Sequence, residues 1–264
     1  MGKPTRSTAM YLTVLTVIAS TVTNAHHIFG GSTTTVHGGT AVLPCNLSDT
    51  TDTLTQISWQ RVTRGKPQND NFFSVSSTKR GHFVSGRDSR FKFIGNFADK
   101  NGSLQLSNVK LNDEGTYTCI FILFPSGNLK TEIRLNILVP PVTNLKGFNL
   151  SSSNEEVSLV TCTAACSKPP AEVRWLTGSL GEKVRVTTDS TLHDNGTTST
   201  VSSLVGVPSS DIRHHSVQCV INSSALKRGK TLSFVIEVAG SAHPQRPSII
   251  FLFSATFMMF GCNF

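Results

Sequence analysis

Six cysteines, at 45, 119, 162, 166, 219 and 262, carry the most specific chemistry in this 264-residue chain. A cysteine can pair with another, hold a metal or attack a substrate. Metal binding is poorly served, because no Cys-x-x-Cys or His-x-x-x-His spacing accompanies them. The two histidine pairs, His26-His27 and His214-His215, stand in a frayed N-terminus and a loop. Catalysis fares no better. Serine and threonine are abundant, but there is no nucleophile elbow or glycine-rich phosphate loop, and Asp113-Glu114 belong to a structural motif rather than a facing carboxylate pair. No catalytic residue, metal or cofactor is assigned, and an enzyme is set aside. Pairing remains, and the redox compartment decides it.

The N-terminus answers that question. Lys3 and Arg6 precede an apolar run from Ala9 to Val22, and Thr23-Asn24-Ala25 offers small residues for cleavage. Residues 1–25 therefore read as a secretory signal peptide, the alternative being an uncleaved signal anchor, for which the run is short. Asn-x-Ser/Thr tripeptides at Asn46, Asn101, Asn149, Asn195 and Asn222 fit a glycosylated extracellular chain. The formal charge of +8 falls to +6 without the leader, and its densest clusters, Lys79-Arg80 and Lys227-Arg228-Gly229-Lys230, lack interleaved aromatics. Nucleic acid is not an expected partner; weak attraction to anionic glycans or an acidic protein face is.

The elements that must position these cysteines repeat. Cys45, Trp59 and Cys119 are followed by Cys162, Trp175 and Cys219, each Trp lying 13 or 14 residues after the first Cys of its set. That spacing is the immunoglobulin pattern, an inter-sheet disulfide packed on a buried Trp, and it pairs Cys45 with Cys119 and Cys162 with Cys219. "QISWQRV", "RFKFIGN", "TYTCIFI" and "TEIRLNILV" alternate with period two, and no helical period persists. Tyr117 sits two residues before Cys119, and Asp113 is placed to meet Arg90 across the bottom of the sandwich. The expected class is all-β: a variable-type sandwich over 26–139 with extra C′ and C″ strands, a stiff "VPPV" joint, then a constant-type sandwich over 140–239. Cys166 is left as a free thiol, an intermolecular link or a half-buried unpaired residue.

Some residues go further. "LTQISWQ" (Leu54 to Gln60), "DEGTYTC" (Asp113 to Cys119), "LFPSGN" (Leu123 to Asn128), "LNILVPP" and the second-domain "TCTAACSKPPAEVRW" and "SALKRGKTLSFVIEV" together resemble the nectin and poliovirus-receptor family of adhesion molecules. The resemblance runs from about Val36 to Val238. It implies three binding motifs in the first domain: an aliphatic-Thr-Gln on strand C, kept as Leu54-Thr55-Gln56; an Ala and a Gly seven apart, where Ser74 and Gly81 stand; and Thr-Phe/Tyr-Pro-x-Gly, kept as Phe124-Pro125-Ser126-Gly127 after Leu123.

With Cys119 pointing inward, alternation puts Ile120 and Ile122 on the outer face of the G-F-C-C′-C″ sheet, together with Gln56, Ser58 and Gln60 of strand C. An apolar centre, a polar rim and an adjoining aromatic make the anatomy of a protein interface, with Phe124 as its knob and Pro125 and Gly127 shaping the turn. The plainer alternative makes the isoleucines mere strand formers and folds Phe124 back on its own domain. The implied function is cell-surface adhesion or recognition, homophilic or with other immunoglobulin-superfamily proteins. The alternative is an immune-regulatory ligand for a leukocyte receptor, for which "NGTTSTVSSL" resembles the OX-2 glycoprotein group. Residues 240–264 form a spacer and an apolar tail from Ser248, read as a glycosylphosphatidylinositol signal after small Gly240-Ser241-Ala242 or as a short membrane segment.

Overall fold

The computed structural model describes residues 27–78, 81–239 and Cys262. Residues 1–26, which include the expected signal peptide, Lys79-Arg80 and nearly all of the expected tail lie outside them. The first half comprises β1 (His27–Phe29), β2 (Gly31–Val36), β3 (Ala41–Leu43), β4 (Asn46–Ser48), β5 (Thr53–Thr63), β6 (Asp70–Ser76), β7 (His82–Phe83), β8 (Phe91–Phe93), β9 (Leu104–Leu106), β10 (Gly115–Phe124) and β11 (Gly127–Leu138). The second comprises β12 (Val142–Gly147), β13 (Leu150–Ser151), β14 (Val157–Ser167), β15 (Glu172–Leu176), β16 (Val184–Leu192), β17 (Thr198–Gly206), β18 (Ser216–Asn222), β19 (Lys230–Val235) and β20 (Val238–Ala239).

In the first sandwich a six-stranded sheet, ordered β2-β11-β10-β5-β6-β7, faces β3-β9-β8, while β1 pairs with β4. Alternation drives the packing. Along β10, Tyr117, Cys119, Phe121 and Leu123 are buried and the residues between them are not. Cys45 and Cys119 form the inter-sheet disulfide against fully buried Trp59, whose indole N–H donates to the Gly102 carbonyl at 2.9 Å. Below them the Tyr117 hydroxyl donates to the Asp113 carbonyl at 2.9 Å, and Arg90 grips both Asp113 oxygens at 2.6 and 2.9 Å. Burial, with the negative Asp113 close by, pushes the Tyr117 hydroxyl well above its ordinary value. The Arg90 guanidinium is raised too, chiefly by its hydrogen bond to Asp113.

The second sandwich sets β12-β14-β17-β16 against β15-β18-β19, the four-on-three arrangement of a constant-type domain. Cys162 pairs with Cys219. Trp175 is half-buried and donates to the Ser202 hydroxyl at 3.0 Å. The sandwiches meet in a polar joint. Val139 and Lys168 exchange backbone hydrogen bonds of 2.8 and 2.9 Å, the Lys168 ammonium pairs with Glu114, and Arg64 donates to the Asp194 carbonyl at 3.1 Å.

Two expectations change. His27 belongs to β1 rather than to a frayed end, since its strand pairs with β4 through His27 and Ser48. Cys166 is neither free nor available to a second chain, because it is bonded to Cys262.

Candidate protein-binding face

The outer face of the six-stranded sheet is a grid whose rows follow from strand register. One row runs His82, Ser74, Ser58, Ile120, Lys130; the next runs Ser76, Gln56, Ile122, Asn128. A third holds Gln60, Thr118 and Glu132. Six of the expected residues, Gln56, Ser58, Gln60, Ser74, Ile120 and Ile122, thus meet on one surface, with the isoleucines on the central strand.

They are not equally accessible. Ser58 and Ser74 are only 5% and 4% exposed. The Gln56 amide lies over Ser58 and donates to its hydroxyl at 2.6 Å. The two serines therefore form the floor of the face, while Gln56, Ile120 and Ile122 form its surface. Thr55 sits where the β5–β10 register slips, and its hydroxyl donates to the Ile122 carbonyl at 2.8 Å. It braces the hairpin, as a side chain at a bulge can.

Phe124 follows Ile122 by two residues, so alternation carries it to the same face, at the sheet's end. It is 72% exposed, against the alternative in which it folds back onto its own domain. Pro125 and Ser126 form the turn, and Gly127 takes a φ of +87°, a conformation that a side chain would strain. Gly81 stands apart from the grid. A Cβ there would lie 2.3 Å from the end of the Phe73 ring, and Gly81 lines an apolar recess of about 710 Å³ on the sandwich flank with Phe73, Phe83, Phe93 and Phe97. Its lack of a side chain permits close packing against that ring.

Beside Gln60 the strand turns inward. Arg61 is buried, bonds Asp70 at 2.8 Å and lies over the Phe72 ring at 4.7 Å. Burial pushes the Asp70 carboxyl up, but hydrogen bonds from Ser85 and Arg61 together hold it below its ordinary value. This paired charge fixes the end of the face without adding a free charge to it.

Sequence reasoning missed Lys130 and Asn128, which stand beside the isoleucines, and Glu132 and His82, farther out on the same face. Their signal is in the turn: with the hairpin closing at Pro125-Ser126, the pairs Ile122–Asn128 and Ile120–Lys130 follow by counting. The first-domain glycosylation tripeptides lie elsewhere. Asn46, in β4, bridges Asn101, and neither belongs to the six-stranded sheet.

An immunoglobulin V-set domain model matches residues 30–138, and a CD80-like C2-set immunoglobulin domain model matches 139–230. The chain is a tandem immunoglobulin protein, a V-set domain followed by a C2-set domain, and its curated relatives are nectins and a cell adhesion molecule. It is 30% identical to cell adhesion molecule 3 of Rattus norvegicus over 198 residues, 74% of this chain and 45% of that protein. To nectin-2 of Mus musculus it is 29% identical over 55% of this chain and 28% of the relative; to nectin-4 of Xenopus tropicalis, 26% over 78% and 38%. The chain thus spans less than half the length of these relatives. These relatives are immunoglobulin-domain adhesion molecules, which are not enzymes.

Proposed function

We propose that this nectin-like chain is a cell-surface adhesion or recognition glycoprotein that pairs, with itself or with another immunoglobulin-superfamily protein, through the outer face of β10, β5, β6 and β11. The observation that carries this reading is the coincidence on one surface of Ile120, Ile122 and exposed Phe124, ringed by Gln56, Gln60, Asn128 and Lys130. A central apolar strip with a polar margin is what a partner can desolvate without stranding charge. The sugar sites of the first domain support it, because neither Asn46 nor Asn101 is on that sheet face.

The names of the relatives favour adhesion over a ligand read only by leukocytes, though both readings use the same face. Beads coated with the full extracellular chain test it. Beads that aggregate by themselves, or bind cells displaying nectin-like proteins, and lose this with Ile120→Asp would support the proposal. Equal aggregation by wild type and Ile120→Asp would refute the face.

A further inference from the structure

Cys166 occupies a break in the β14–β17 ladder. Ala164 faces Thr200 and Ser167 faces Thr198, so Ala165 and Cys166 stand opposite the single Ser199, one residue more on β14 than on β17, and Cys166 takes a left-handed φ of 59°. Such a bulge re-aims a side chain. Here it directs the 4% exposed Cys166 to Cys262, with which it is bridged.

The surroundings are built to receive that residue. The Cys166 N–H donates to the Ser199 hydroxyl at 3.1 Å, and this oxygen lies 2.7 Å from His193 Nε2. The Asn195 side-chain amide donates to the Cys262 carbonyl at 2.6 Å. Asn195 is itself held by Thr197, whose N–H and hydroxyl donate to its Oδ1 at 3.0 and 2.8 Å. Cys166, His193 and Cys262 place their ligand atoms within 4.8 Å of one another. A closed disulfide offers no thiolate, however, so the group acts as a seat for Cys262 rather than for a metal.

The two ends of the intervening segment lie at opposite ends of the second sandwich. Val238 and Ala239 pair with Leu150 and Ser151, near the end of β14 that starts at Val157, away from the joint. Cys166 lies at the other end, next to Ser167 and Lys168, which bond Val139 in the joint. Strand β14 alone separates them by about 30 Å, at about 3.3 Å per residue. Residues 240–261 can cover up to about 75 Å, so the connection is easily made. Leaving the domain, crossing a bilayer and coming back would take two spans of roughly 20 residues each, which this interval does not contain. Cleavage after Gly240-Ser241-Ala242 would put Cys262 on a separate peptide.

We propose that Cys262 is kept in the mature chain, bridged to Cys166 and seated beside the joint, and that Asn195 is left without a glycan because its amide nitrogen forms part of that seat. In the bridged molecule this replaces the lipid-anchor and membrane-segment expectations for residues 240–264. It also removes one of the five expected sugar sites. It does not depend on the adhesion reading.

The test is peptide mapping of the full chain expressed in animal cells, alkylated before any reduction. The expected result is a cross-linked peptide joining Cys166 to Cys262, no alkylated Cys166, and Asn195 unchanged by a glycosidase that converts sugar-bearing Asn to Asp. In Cys262→Ser, Cys166 should become alkylated and Asn195 should gain at least partial glycosylation. Alkylated Cys166 in the wild type, a chain-to-chain Cys166 dimer, or mature protein lacking residues beyond 242 would overturn the proposal. Sugar on Asn195 of the bridged chain would overturn its second half.

Discussion

Phe124→Ala separates the binding face from the fold more sharply than any other single change. A Phe side chain brings roughly 200 Å² of surface to an interface, and the 72% exposure of Phe124 leaves about 145 Å² of it in water. Covering all of that would contribute about 3.6 kcal/mol at about 25 cal/mol per Å². A partner that covers a little over half contributes about 2 kcal/mol, or about 30-fold in Kd. The part already buried is about 55 Å², so the fold loses at most about 1.4 kcal/mol by the same coefficient. Biosensor titration of the captured partner, or of the chain against itself, should therefore show weakening of about 30-fold or more. The thermal transition should move by no more than about 10 °C. Binding unchanged within threefold, in a variant that still unfolds cooperatively, would refute Phe124 as the anchor. A collapse of the fold would instead show that the ring packs on its own domain.

Four other outcomes are expected. Ile120→Asp should weaken binding by about 100-fold or more, because it strands a carboxylate in a desolvated centre, whereas substitutions beside Asn101, outside the six-stranded sheet, should leave the same titration unmoved. Gln56→Ala should weaken binding about tenfold while the fold survives, since the Ser58 hydroxyl and any partner group both lose their donor. Acid should destabilise the first domain: burial raises the Asp88 carboxyl, but its bonds to the side chain and backbone of Arg90 pull it below its ordinary value. The stability it contributes is complete above about pH 4 and is lost as pH falls through the lowered value, so Asp88→Asn should flatten the decline in urea midpoints below pH 4. Finally, Cys262→Ser should cost the second domain little. The bridge closes a loop of about 47 residues in the unfolded chain, counted through Cys162–Cys219, and one of about 23 in the native chain, a difference of about 0.6 kcal/mol. A loss of several kcal/mol on denaturation would contradict that balance.

The fold was legible because its determinants are local and repeated. The two Cys-Trp-Cys sets, Tyr117 two residues before Cys119, and the alternation through "TYTCIFI" each point to a sandwich without reference to distant residues. The face was legible to the same depth, because burying Cys119 forces Ile120 and Ile122 outward. What escaped depends on register and on three-dimensional crowding. Ser58 and Ser74 share the outward phase with Gln56, yet no period could show that the Gln56 amide lies over Ser58 and leaves both serines as floor. Thr55, expected as a contact residue, stands at a register slip that no period shows. Gly81 kept its spacing from Ser74, but its lack of a side chain serves the Phe73 ring. Cys166 was the hardest. Its partner lies 96 residues away, and only the bulge in β14 shows why a cysteine four residues from Cys162 should point elsewhere.

The joint links these findings. A face that meets a partner on another cell gains from being held at a fixed angle, since orientation lost on binding must otherwise be supplied by the interaction itself. Here the two sandwiches are tied by the Val139–Lys168 backbone pair, the Lys168–Glu114 ion pair and the Arg64 bond to Asp194. Glu114 also accepts from the Ile137 N–H at 3.2 Å, which carries the tie into the strand beside β10. On the other side, Asp194 belongs to the hairpin that holds His193 and Asn195, the seat of Cys262. The hairpin therefore touches the first domain through Asp194 and Cys262 through Asn195. Arg64→Ala should loosen the angle between the sandwiches, visible as a broader distance distribution between spin labels placed one on each domain, while leaving the Phe124 face chemically unchanged. If the distribution stays as narrow as wild type, the hairpin is not the brace, and the Val139–Lys168 backbone pair with the Lys168–Glu114 ion pair holds the angle.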